Sequence, residues 1–143
     1  FVMGQKGLFE AYISKWTMSG GVPDPVNQTI GAYIYKSNGL AQGSGWRFNP
    51  ENWTHFTVTV SFYGNDTNFR IFRNGYGTFG STVNGTINSN ANPFRIGSAN
   101  GSTSYNKFTG SIDEVKICDT ILTADQIRCM VYQEIENNSG NVR

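Results

Sequence analysis

The sequence predicts an all-β protein, an antiparallel β-sandwich with one short C-terminal helix. Three observations carry this. Gly occurs 17 times among abundant Asn, Ser and Thr, a composition of strands and turns. Within residues 53–62, the stretch 55–62 alternates strictly between polar and apolar. A single helical stripe, with a cap, lies near the C-terminus.

In chain order, residues 8–13 and 29–35 read as strands, and the Gly-rich stretch 43–48 reads as a loop. In 53–62, Phe56, Val58, Val60 and Phe62 share one face while His55, Thr57, Thr59 and Ser61 share the other. This strand ends at the turn cluster Tyr63-Gly64-Asn65-Asp66. A second strand over 69–73 stops at Asn74-Gly75 and pairs with it as an antiparallel hairpin. Residues 94–97 form a short strand, 99–106 a polar loop, and 108–117 a strand whose Gly110 suits a bulge or close packing. Thr123 is the expected N-cap of the helix, with Gln126 completing a capping box and Leu122 placed to staple onto Ile127. Ile127, Met130, Val131 and Ile135 recur at helical spacing and form its apolar stripe. No internal repeat or linker divides the chain. One domain is expected over 1–136, followed by a fraying polar tail, 137–143.

With 143 residues, folding removes roughly 68–70% of the unfolded chain's surface from water, enough for one core. The net charge of +1 and 15% charged residues leave no basic patch for nucleic acid or anionic lipid, so neither partner is expected. No apolar run is long enough to span a membrane. The chain opens on Phe1 with no signal-peptide layout, and it is expected to be a processed chain or a fragment.

Six Asn-x-Ser/Thr triplets begin at Asn27, Asn52, Asn65, Asn84, Asn100 and Asn137. They read either as glycan acceptors or as ordinary turn chemistry. Asn27, Asn65, Asn84 and Asn100 are taken as acceptors, and Asn52, beside Trp53 at the start of a strand, is less suited. Cys118 and Cys129 have no metal-ligand spacing. They are either a disulfide joining the end of a strand to the following helix, which requires Cα atoms within about 7 Å, or two buried thiols. Sequons and a cysteine pair together point to an oxidising, extracellular compartment.

The series Trp53-Thr54-His55-Phe56, Phe72-Arg73-Asn74-Gly75, Phe94-Arg95-Ile96-Gly97, Phe108-Thr109-Gly110-Ser111-Ile112-Asp113-Glu114-Val115-Lys116-Ile117 and Ile121-Leu122-Thr123-Ala124-Asp125-Gln126-Ile127 resembles a laminin G-like, concanavalin A-like jelly-roll domain over roughly residues 53–135. The likeness over 1–52 is looser, with residues 2–7 resembling a strand well inside such a domain. The resemblance implies that the first strands are missing here and are supplied by an upstream piece of the same precursor or by a neighbouring protomer through β-augmentation.

The resemblance also implies that Asp113 is a ligand of a structural Ca²⁺. The plainer alternative is that it accepts hydrogen bonds from turn amides. Glucanase-type catalysis needs two carboxylates on one face, whereas Asp113 and Glu114 are adjacent on a predicted strand and point to opposite faces, so no enzyme is expected. The lone histidine, His55, reads as a packing and hydrogen-bonding residue.

For carbohydrate, Trp16, Tyr33, Tyr35, Trp46 and Tyr105 are the aromatics that alternation does not assign to the core. Trp46, Arg47 and Tyr105 are the expected ligand-binding residues, on rim loops 43–48 and 99–106. The expected function is a non-catalytic extracellular recognition or adhesion module binding glycan or protein. Its competitor is a structural protomer of a filament or surface assembly that self-associates by strand exchange, with a glycan-active enzyme a distant third.

Overall fold

The computed structural model describes residues 2–5, 8–17, 23–37, 41–87, 90–98 and 107–139. Among these residues eight strands and one helix follow in order: β1 (Met3–Gln5), β2 (Phe9–Thr17), β3 (Pro23–Tyr35), β4 (Ala41–Phe48), β5 (Phe56–Tyr63), β6 (Asp66–Arg73), β7 (Tyr76–Asn84), β8 (Phe94–Ile96) and α1 (Ala124–Ser139). The strands form a five-stranded sheet, β4-β3-β2-β1-β8, and a three-stranded sheet, β5-β6-β7, with every pairing antiparallel.

Alternation decides which side chains lie between the sheets. On β3, Ile30, Ala32 and Ile34 are buried, and on β6 so are Thr67, Phe69 and Ile71. Ala32, Ile34, Phe69 and Ile71 form the core cluster, with Phe9, Phe56, Val58, Val60 and Ile87 packed against it. The buried Thr67 hydroxyl is satisfied by donating to the Gly85 carbonyl at 2.9 Å. After β7 the chain returns to the larger sheet through the Lys36–Ile87 bridge.

The β5–β6 hairpin forms as the alternation predicts, but the structure departs from the sequence reading in four places. The second strand stops at Asn74-Gly75 as expected, but this turn leads into a further strand, β7, that the sequence reading did not include. Both residues adopt positive φ, 50° and 79°, and turn the chain into β7. Residues 43–48 are not a loop but part of β4, paired with β3 from Gln28–Phe48 to Tyr35–Ala41. The Gly-rich stretches hide both strands from a reading that looks for alternating side chains.

The predicted strand over 108–117 is absent. A strand persists only against a ladder partner, and the antiparallel pairing of this region stops at the single Ser98–Lys107 bridge. Beyond it, Gly110 and Glu114 take positive φ, 149° and 52°. Finally, the helix runs on through Ser139, so 137–139 belong to it and not to a polar tail.

The capping box is formed as the sequence predicts. The Gln126 backbone N–H donates to Thr123 Oγ1 at 3.3 Å, and the Thr123 backbone N–H donates to Gln126 Oε1 at 2.8 Å. Ile127 and Val131 are buried, and Gly75 lies so close beneath Arg128 that a Cβ there would come within 3.0 Å of the Arg128 Cα. Thr123→Ala is expected to lower stability by about 1 kcal/mol, read as a shift in the urea midpoint with unchanged slope.

Candidate functional site

The outer face of the five-stranded sheet collects the polar and aromatic residues that alternation turns away from the core. Glu10, Tyr12 and Ser14 lie there on β2. Thr29, Gly31, Tyr33 and Tyr35 lie there on β3, Gly45 and Arg47 on β4, Gly4 on β1 and Arg95 on β8. In register, Tyr33 stands opposite Glu10, and Tyr12 opposite Gly31. Because Gly31 has no side chain, the Tyr12 ring crosses over β3. A Cβ on Gly45 would sit 3.6 Å from the Tyr12 hydroxyl, an ordinary contact, and 2.6 Å from Thr29 Cγ2, which leaves no room for it. Tyr33 stacks on Tyr12 with ring centroids 4.6 Å apart and planes at 21°. Tyr35 donates its hydroxyl to Glu10 Oε2 at 3.0 Å. Arg47 and Arg95 stand exposed on β4 and β8, the two outermost strands of this sheet.

Two phenols on this face, Tyr12 and Tyr35, are shifted toward their neutral form. Burial, then the charge of and hydrogen bond with Tyr33, push Tyr12 up to about 12. Burial, then the hydrogen bond with Glu10, push Tyr35 up to about 12. In the unfolded chain both ionise near 10. Between these values the unfolded state has lost protons that the folded state keeps, so this contribution is complete below about pH 10 and is lost as pH rises toward about 12. The urea midpoint is expected to drop between about pH 9 and about pH 11, and to drop less in Tyr12→Phe and Tyr35→Phe.

Trp46 is placed on the opposite side of β4. It pairs with Ile30 on the inward register, and the Arg73 guanidinium lies 5.1 Å from its ring centroid, which occupies one ring face. Arg73 also donates to the Arg47 carbonyl. Of the three expected ligand contacts, Arg47 faces outward and Trp46 inward, while Tyr105 lies outside the described residues.

Asp113 is exposed, and its Oδ1 accepts the Glu114 N–H at 2.9 Å, a local turn bond. Glu114 pairs with Lys116 at 3.3 Å. Ca²⁺ takes six to eight oxygens. Among the described residues no group of three or more His, Cys, Asp or Glu that could hold a metal ion gathers.

Cys118 and Cys129 are free and exposed, neither joined in a disulfide nor buried. The expected bridge required a strand ending at Cys118, and no strand forms there. Asn65 is exposed in the β5–β6 turn, Asn84 is exposed at the end of β7, and Asn27 lies in β3. Asn100 is outside the described residues. His55 exchanges backbone and side-chain hydrogen bonds with Asn74: its N–H donates to Asn74 Oδ1 and its carbonyl accepts the Asn74 N–H, both at 2.9 Å. These bonds fix the β6–β7 turn.

The sandwich architecture has a counterpart among known families. A laminin G family model, described as the concanavalin A-like lectin/glucanases superfamily, matches residues 8–128. The chain belongs to the concanavalin A-like lectin/glucanases superfamily. No curated protein and no solved structure gives a match. As in this superfamily, antiparallel strands stack in two sheets, here with one helix among the described residues. Among the described residues no helix is long and apolar enough to cross a membrane.

The sequence reading missed Tyr12 and Glu10 as site residues. The available signal was the alternation Glu10, Tyr12, Ser14 against Phe9, Ala11, Ile13, which puts a tyrosine on the face away from the core.

Proposed function

We propose that this superfamily member is a non-catalytic extracellular recognition module that binds a glycan through the outer face of its five-stranded sheet. The observation that carries the reading is the stacked Tyr12–Tyr33 pair lying over Gly31, with the Tyr35–Glu10 hydrogen bond beside it. A flat aromatic platform suits the apolar face of a sugar ring. Neighbouring hydroxyl, carboxylate and guanidinium groups supply directional hydrogen bonds to its edge. Glycosidase chemistry needs a second carboxylate across from the first. On this face Glu10 stands opposite Tyr33 and bonds to Tyr35, which suits binding better than acid–base work. The test is a glycan microarray probed with the purified chain. Saturable binding to a defined set of glycans is expected, and an array blank at all concentrations overturns the reading.

A second reading, a structural protomer completed by a strand from a neighbouring chain, is favoured by one observation. Five strands stand against three, and among the described residues β5 pairs only with β6. Phe94 and Ile96, on the inward register of β8, stay 40% and 50% exposed. A strand added along β5 would extend the smaller sheet toward them. Light scattering over a concentration series is expected to show association. A monomer throughout sinks this version and leaves the first intact.

A further inference from the structure

Away from the sheet face, a second pair of tyrosines joins the helix to the smaller sheet. Tyr76 is the first residue of β7 and Tyr132 lies on α1, and their hydroxyl oxygens are 3.4 Å apart. Both are more than half exposed, at 57% and 53%, and so are open to a solution oxidant. The backbones that carry them are fixed. Asn74 is bonded on both sides to His55, Gly75 lies against Arg128, and Ile127 and Val131 are buried beneath the helix. The Arg128 guanidinium, tied to Asp125, sits 6.0 Å from the Tyr76 ring centroid and further restricts that ring.

We propose that Tyr76 and Tyr132 are an oxidative cross-linking site that forms an intramolecular dityrosine between α1 and the β6–β7 hairpin. The co-reactant is a peroxide acting through a haem peroxidase. Each phenol gives up one electron and one proton. The two phenoxyl radicals couple through the ring carbons next to the hydroxyls, forming one carbon–carbon bond. The two hydrogens on those carbons then move to the oxygens as the rings regain aromaticity. Overall the protein loses two hydrogens, and one hydrogen peroxide is reduced to two waters. Neighbouring hydroxyls bring the adjacent ring carbons within reach of one another through side-chain rotation alone, which is what favours this pair.

Two comparisons within the chain sharpen the assignment. Tyr63 is more exposed, at 83%, but has no ring partner among the described residues, so exposure alone predicts only links between molecules there. Tyr12 and Tyr33 are stacked face to face on a sheet, a geometry that sets ring above ring and not edge to edge. A covalent link between residues 56 apart constrains the unfolded chain as a disulfide does, and it is expected to raise the melting temperature by about 10 °C.

The experiment treats the folded, full chain with a haem peroxidase and hydrogen peroxide, then reads intact mass, dityrosine fluorescence and the peptide map. A monomer lighter by two hydrogens is expected, with its cross-linked peptide joining Tyr76 to Tyr132. Tyr76→Phe and Tyr132→Phe should each abolish this product, while Tyr63→Phe keeps it. Cross-links that map to Tyr12–Tyr33, products only between molecules, or a product that survives in Tyr76→Phe would overturn the proposal. Both Phe variants keep the ring and remove only an exposed hydroxyl. Their circular dichroism should match the parent, so loss of the product is not loss of the fold.

Discussion

Phe69→Ala is expected to destabilise the chain by about 3–5 kcal/mol, a large share of the roughly 5–15 kcal/mol that holds an ordinary domain folded. Phe69 is fully buried at the centre of β6, and its cluster partners Ala32 and Ile34 belong to the opposite sheet. Deleting the ring removes its burial and leaves a cavity between two sheets that cannot close without breaking ladder pairs on either side. The control is Phe62→Ala. Phe62 has the same inward parity on β5 but stands 63% exposed at the hairpin end, so the change should cost less than about 1 kcal/mol. Urea unfolding followed by tryptophan fluorescence gives both values. Similar losses for the two would mean that the core does not lie where β6 crosses β3.

Gly4→Ala is the second large effect, and it acts through the backbone. Gly4 lies between β2 and β8 in the middle of β1 at a φ of 147°, a region that residues with a Cβ rarely adopt. A methyl group there would overlap the Phe9 carbonyl and approach the Glu10 Cα to 2.8 Å, both backbone positions that cannot swing aside. A cost of at least about 3 kcal/mol is expected, with β1 and β8 leaving the sheet first. Amide hydrogen exchange should show protection lost along β1 and β8 while β5 and β6 keep theirs. Uniform loss across both sheets, or none, would contradict this.

What the sequence made legible follows from where side chains report on structure. Residues 56–62 announce β5 because every second residue is apolar and the strand has a solvent side. The Thr123–Gln126 box announces the start of α1 because capping is a local interaction. β7 and β4 were hidden for one reason: Gly77 and Gly80, and Gly43 and Gly45, interrupt the alternation, and pairing with β6 and β3 overrides their weak intrinsic preference. Residues 108–117 failed in the other direction. Their apolar spacing suits a strand, but a strand exists only where a neighbour supplies hydrogen bonds. For the candidate site, Tyr33, Tyr35 and Arg47 were visible as aromatics and a cation without a core role. The stacking of Tyr33 on Tyr12 was not, because it depends on Gly31 lying across the strand pair from Tyr12. Trp46 was misplaced because the parity of β4 cannot be read until β4 is known to be a strand.

If the outer tyrosine face binds the glycan, removing one of its rings must weaken that binding. Titration calorimetry of the best microarray glycan against the parent chain and Tyr33→Ala is expected to show affinity falling at least about tenfold in the variant, with the circular dichroism spectrum of the folded chain retained, because Tyr33 lies on the outer side of the sheet. Equal affinity in the two proteins would place the ligand elsewhere and contradict the account.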